Sequence, residues 1–120
     1  MTKKFKKIPA SVYNATVWVV SDVDEAVKLA WRVLRLAADR DDFGDANGLC
    51  MFSPAGDVLW LPADAGAGTI AHECTHAALN IFRRRGVAVD LDNQEPTTYL
   101  IGYLVHAVTE AHRELNKWLS

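Results

Sequence analysis

Cysteine is scarce in this chain, and neither sign of charge is in large excess. The 120 residues include two cysteines, Cys50 and Cys74, which are too few for the disulfide framework of a small secreted domain. Thirteen Lys and Arg residues stand against 15 Asp and Glu residues, so the net charge of −2 gives no overall attraction to nucleic acid. These absences predict reduced thiols and no nucleic-acid partner.

Long apolar runs are also lacking. The basic opening MTKKFKKIPA is followed by VYNATVWVV, which is too short for a signal peptide or a membrane span and is interrupted by Asn14 and Thr16. We therefore expect a cytoplasmic protein without a membrane partner, in which residues 1–9 form a flexible basic terminus. Half of the residues are hydrophobic, so a single domain over residues 1–120 is expected to bury one core.

The spacing of apolar residues predicts six elements in the order strand, helix, strand, strand, helix, helix. Alternation is typical of strands, and recurrence at three and four residues is typical of amphipathic helices. The strands are expected at 12–20, 48–52 and 57–62, and the helices at 22–39, 70–85 and 96–118. This order predicts an α+β fold with about three mainly antiparallel strands, a backing helix, a motif helix and a C-terminal helix.

The motif helix contains the stretch TIAHECTHAALNIF, where His72, Glu73 and His76 have the spacing H-E-x-x-H. Residues four apart lie on the same face of a helix, so the two imidazole rings can converge on one ion. Glu73 is one step round the helix, beside that ion. Catalytic zinc takes three protein ligands and leaves a fourth position for water. The stretch therefore predicts a Zn²⁺ site that needs one further ligand.

Glu95, in NQEPTTYLIGYL at the start of the last helix, is the best candidate for that ligand. A helix and a turn separate it from the motif, which leaves enough chain for a return path. Zinc held by two histidines and a glutamate lowers the pKa of its water toward neutrality. Glu73 is expected to take the proton of this water and deliver it to a leaving amine.

His72, Glu73 and His76, together with the later Glu95, resemble the gluzincin branch of zinc metallopeptidases, the thermolysin-like arrangement. The resemblance implies a zincin-like domain that hydrolyses bonds of a peptide or protein substrate. The family usually has an acidic residue one turn after its glutamate, where this chain has Tyr99. The chain is also far shorter than a full peptidase of this type, so a protein partner could complete the cleft.

Two tyrosines of the last helix could donate a hydrogen bond to a developing oxyanion, and each could instead pack with a solvated hydroxyl. Of Tyr99 and Tyr103, Tyr99 is the preferred catalytic candidate. His112 is expected on a solvated helix face. An extended substrate is expected to pair with an edge strand near residues 58–61, because edge strands present unpaired backbone donors and acceptors.

Two alternatives stay open at this point. Cys50, in a Gly-Leu-Cys strand upstream of the motif, loosely resembles the cysteine ligand of peptide deformylases, which implies an amide hydrolase acting on a formyl group. The other alternative is a non-catalytic protein, in which zinc stabilises a small fold that binds or inhibits another protein. A purely structural site has no need of Glu73 and usually closes with a fourth protein ligand.

Overall fold

A four-stranded mixed sheet with helices on both faces forms the framework of the protein. The computed structural model describes residues 4–117, and this range contains four strands and three α-helices. They are β1 (Phe5–Ala10), β2 (Ala15–Val20), α1 (Val23–Leu29), β3 (Leu49–Ser53), β4 (Gly56–Trp60), α2 (Ala67–Arg85) and α3 (Glu95–Asn116). The strand order is β1-β2-β4-β3, with β2 and β4 parallel and the other neighbours antiparallel.

The core lies on both faces of this sheet. Side chains alternate along β4, so that Leu59 packs with α2 and α3, whereas Val58 and Trp60 pack with α1. The predicted α+β class and the backing helix are confirmed. Within the described range, no helix has both the length and the apolar character that a membrane span needs.

Strand β1 corrects the sequence prediction of a flexible terminus over residues 1–9, which is wrong for residues 5–9; residues 1–3 lie outside the described range. Ile8 and Ala10 are buried in the core that α3 shares, and Lys7 and Pro9 are exposed. Lysine and proline are tolerated on an edge strand, where one side of the backbone needs no partner. These residue types weaken the alternating apolar pattern, so the strand was not predicted. The sheet has four strands instead of about three.

The position of β4 corrects a second expectation, that residues 58–61 lie at a sheet edge. β4 pairs with β2 on one side and with β3 on the other, and the amide of Leu61 donates to the carbonyl of Val20 at 2.9 Å. The backbone of β4 is therefore already paired. Among the described strands, β1 and β3 are the edges, so β3 is the strand of the hairpin that can accept another chain.

The first helix is shorter than its pattern predicts. Asp22 caps α1 by accepting a hydrogen bond from the amide of Glu25, and the helix continues as a π-helical turn over Ala30–Leu34. Arg35 then takes a left-handed conformation with φ 59°, which ends the helix before the expected residue 39. The chain turns back there and leads to Phe43, which is buried edge-on against Trp60 at 5.1 Å.

A buried ion pair fixes α2 to the sheet. Asp57 on β4 has no solvent exposure, and its carboxylate accepts hydrogen bonds from Arg84 at 2.5 Å and Asn80 at 2.8 Å. Burial raises the pKa of Asp57, and the hydrogen bonds from Asn80 and Arg84 oppose that shift. Because Asn80 and Arg84 are four residues apart on one face of α2, these bonds set the rotation of the helix about its axis.

Replacing Asp57 by alanine tests this anchor. The change leaves the guanidinium of Arg84, whose side chain is 13% exposed, without its carboxylate, so we expect a loss of about 3 kcal/mol in the free energy of unfolding. Urea denaturation measures that loss. The matched control is Arg113→Ala, which removes the exposed pair with Glu110 and should change stability by less than about 1 kcal/mol. Equal effects of the two variants would contradict an anchoring role for Asp57.

Candidate metal centre

Helix α2 presents the motif as the sequence predicts. It ends at Gly86, whose φ of 68° is the left-handed conformation that commonly closes a helix. Its inner face packs in the core and consists of Ile70, Cys74, Ala77, Ala78, Ile81 and Phe82. His72 and His76 lie on the exposed side, one turn apart. The core thus holds the helix while its outer face is free for ligands.

The two histidines and Glu73 form a close cluster. The imidazole centroids of His72 and His76 are 4.9 Å apart, and the ring planes make an angle of 77°. One potential ligand atom from each of the three side chains lies within 4.8 Å of the others, and no other group of three or more His, Cys, Asp or Glu residues in the range 4–117 meets this condition. Imidazole nitrogen and carboxylate oxygen are donors that zinc accepts, so the cluster fits a zinc ion in its donor chemistry.

Glu73 is distinguished by its surroundings. The residue is only 7% exposed, and among residues 4–117 its carboxylate forms no hydrogen bond and no ion pair. Its oxygens nevertheless reach solvent, because no buried side-chain oxygen of the described residues lacks a hydrogen-bond partner. The carboxylate of Asp57, in contrast, has donors from Arg84, Asn80 and the thiol of Cys50. The fold therefore pairs Asp57 in the interior, whereas the carboxylate of Glu73 faces the cavity beside the histidines without a protein donor.

The place of Glu73 depends on Gly48, the residue before β3. A Cβ atom at position 48 would lie 2.8 Å from Cγ2 of Thr69 and 3.2 Å from Cγ of Glu73. Both distances are shorter than ordinary van der Waals contact. The absence of a side chain thus allows the start of β3 to approach α2 closely at the motif.

A groove runs along β3 beside the histidines. The strand contributes Leu49, Cys50 and Phe52 to its lining, and Gly48 precedes them. Helix α2 contributes His72, Glu73, His76 and Asn80. The cavity has a volume of about 300 Å³. The motif therefore opens onto the edge strand of the sheet, where an extended ligand has access to unpaired backbone groups.

Cys50 lines this groove but does not belong to the cluster of His72, Glu73 and His76. Its thiol donates to Asp57 at 3.5 Å and accepts from Asn80 at 3.7 Å. Burial, together with the negative charge of Asp57, raises the pKa of Cys50 and so disfavours the thiolate that binds a metal. These contacts favour a packing role for Cys50 over the deformylase-like role.

The structure does not bring Glu95 or Tyr99 into the cluster. Glu95 is the exposed first residue of α3. Tyr99 is 74% exposed and lines a different cavity of about 560 Å³, which Val12, Tyr13 and Tyr103 also line. Three of the five predicted site residues are thus together, and the roles of Glu95 as third ligand and of Tyr99 as oxyanion donor stay predictions.

His112 corrects the expectation of a solvated position. It is 8% exposed, and its Nε2 lies 2.8 Å from the carbonyl oxygen of Pro62, to which the protonated nitrogen donates. Pro62 follows β4 and precedes α2, so the C-terminal part of α3 holds the segment that leads into the motif helix. Sequence reasoning missed this contact because it joins residues 50 positions apart.

Sequence reasoning also missed Asn80, Arg84 and Asp57, although signals for them are present. Asn80 and Arg84 continue the four-residue spacing that begins with His72 and His76. Asp57 opens an otherwise apolar strand, DVLWLP, and a charged residue at such a place calls for a buried partner. The four-residue spacing on α2 and the acidic residue in the apolar strand together point to the ion pair between Arg84 and Asp57.

Comparison with protein-family models, with curated proteins and with solved structures gives no match. The functional interpretation therefore depends on the side chains of the site.

Zinc titration tests the ligand set. We expect the wild type to bind about one zinc ion per chain, and His72→Ala and His76→Ala each to lose stoichiometric binding because each removes an imidazole ligand. Competition with a chromophoric chelator measures the affinity. If Glu95 is the third ligand, Glu95→Ala weakens zinc binding and Cys50→Ala does not. Unchanged affinity in Glu95→Ala would remove Glu95 from the ligand set.

The Gly48 contact gives a second prediction. The φ of Gly48 is not positive, so alanine is compatible with the backbone and the main effect of Gly48→Ala is steric. We expect overpacking against Thr69 and Glu73 to lower the free energy of unfolding by about 1–3 kcal/mol. Thr69→Ser removes the nearest atom and should restore part of that loss in the double variant. Additive effects in a urea-denaturation cycle would contradict the contact.

Proposed function

We propose that this chain is a small zinc-dependent hydrolase of peptide bonds, with a zincin-like placement of α2 beside the edge strand β3. The observation that carries the proposal is Glu73, whose carboxylate lies within 4.8 Å of ligand atoms on two exposed histidines and has no donor among the described residues. The carboxylate faces the same cavity as the histidines. A carboxylate in that position, without a protein donor, is available to accept a proton from a water molecule at the site.

His72 and His76 would hold the ion through their imidazole nitrogens, with Glu95 as the predicted third ligand. A zinc ion in such a site supplies Lewis acidity, which polarises a carbonyl group and makes water more acidic. The exposure of both rings leaves the site accessible to a substrate from the groove.

Glu73 would act as general base and then as general acid. Its carboxylate accepts a proton from the attacking water, and the oxygen of that water forms the new bond to the scissile carbonyl carbon. The same carboxyl group then gives the proton to the leaving amide nitrogen as the C–N bond breaks. Packing against the bare backbone of Gly48 holds Glu73 in place for both transfers.

An extended peptide would lie along β3 in this proposal. β3 is a sheet edge, and its residues Leu49, Cys50 and Phe52 share a groove with the histidines. Backbone pairing to the strand would place the scissile bond beside α2. The proposed substrate-binding strand is therefore β3, because the segment 58–61 lies inside the sheet.

A zinc-stabilised binding protein is the second candidate. The observation that favours it is the exposed apolar cavity formed by Val12, Tyr99 and Tyr103, which is the kind of surface that contacts other proteins. In this alternative the metal supports the fold and Glu73 has no catalytic task. Loss of cleavage in a variant that still binds zinc separates the two candidates.

Replacing Glu73 by glutamine is the decisive change. We expect Glu73→Gln to keep zinc binding, because both histidines remain, and to lose about 100- to 10,000-fold in peptide cleavage, because the amide cannot accept the proton. Cleavage of a mixed peptide library, followed by mass spectrometry, measures the rate. Cys50→Ala serves as the control in the same groove and should retain cleavage. The hydrolase proposal fails if the zinc-loaded wild type cleaves no member of the library.

A further inference from the structure

We propose that Arg83 forms a subsite for a carboxylate group of a bound peptide, about three residues from the bond at the metal centre. The inference builds on the proposed function, since it assigns a substrate class to the same groove. It starts from the continuity of the groove beyond His76.

The groove continues into a second cavity. Phe52 and Asn80 line both the cavity at the histidines and the next one, which has a volume of about 380 Å³. Leu36 and Pro54 supply apolar walls of the second cavity, and Arg83 supplies a cation. A peptide that leaves the histidines along β3 therefore meets apolar walls and a positive charge.

Arg83 differs from the two arginines that follow it. Arg84 is paired with Asp57, and Arg85 donates to the carbonyl oxygens of Tyr13 and Asn14, both at 2.7 Å. Among residues 4–117, Arg83 forms no hydrogen bond and no ion pair. Two of the three cations thus hold the fold together, and the third is exposed at the groove with its five donors available.

Helix geometry gives the distance of the subsite from the metal centre. Arg83 lies seven positions after His76, which corresponds to about 11 Å along the helix axis. An extended peptide advances about 3.3 Å per residue, so the carboxylate belongs about three residues away from the scissile bond.

The chemistry of the cavity favours a carboxylate. A guanidinium group matches the two oxygens of a carboxylate in a bidentate pair. Phe52 and Leu36 line the same cavity as Arg83, and an ion pair beside apolar surface is stronger than one in bulk water. An acidic side chain and a C-terminal carboxylate share this chemistry, and the experiment separates them.

Peptide binding to the Glu73→Gln protein loaded with zinc tests the subsite without cleavage. The probes are fluorescein-labelled decapeptide amides in which one Glu is moved through every position, and their Gln counterparts. A third set carries a free C-terminal carboxylate and no Glu. Fluorescence anisotropy measures Kd. We expect Glu at one position, or the free terminus, to lower Kd about fivefold relative to the neutral peptide.

Arg83 variants decide the assignment. Introduced together with Glu73→Gln, Arg83→Gln should abolish the preference, and Arg83→Glu should make Lys better than Glu at the same position. Arg113→Glu changes the net charge equally on the distant surface of α3 and should keep the preference. Equal affinity for Glu and Gln peptides at all positions, or a preference that survives Arg83→Gln, would overturn the subsite. Failure of the wild type to cleave peptides bears on the proposed function, whereas the binding preference alone judges Arg83.

Discussion

The pairing of the buried carboxylate of Asp57 with donors from α2 positions the motif helix on the sheet. Asp57 lies inside the sheet, and α2 supplies the positive charge that pairs with it, from Arg84, together with a hydrogen bond from Asn80. Asn80 and Arg84 continue the four-residue spacing of His72 and His76 on one face of α2, so their hydrogen bonds to Asp57 also orient the histidines. The pairing of this buried charge therefore determines which face of the motif helix borders the groove along β3.

The carboxylate of Glu73 differs from that of Asp57, because it faces the cavity at the histidines. Its neighbours are the histidines and the bare backbone of Gly48, and none of the described residues donates to it. The contrast between Asp57 and Glu73, within one helix and one hairpin, is the physical basis for proposing chemistry at the motif. The arginines of α2 also differ, since Arg84 is paired with Asp57 and Arg83 is not.

Several parts of the fold could be predicted because their signals are local. The period of apolar residues and the closing Gly86 locate α2, and Pro54 locates the hairpin turn. Strand β1 could not be found in this way, because Lys7 and Pro9 weaken the local pattern. Its pairing with β2 and its packing against α3 are tertiary contacts. The order of strands was also inaccessible, since the parallel pairing of β2 with β4 joins segments about 40 residues apart.

The motif helix, the shared face of its two histidines and the position of Glu73 next to them follow from the sequence alone, because residues four apart on a helix are neighbours whatever surrounds them. Three features depend on the tertiary structure: the strand that borders the site, the hydrogen bond from Cys50 to Asp57, and the place of Glu95 outside the cluster of His72, Glu73 and His76. These features arise from contacts between elements distant along the chain. Such contacts depend on how the elements pack, and the local spacing of residues does not predict that packing.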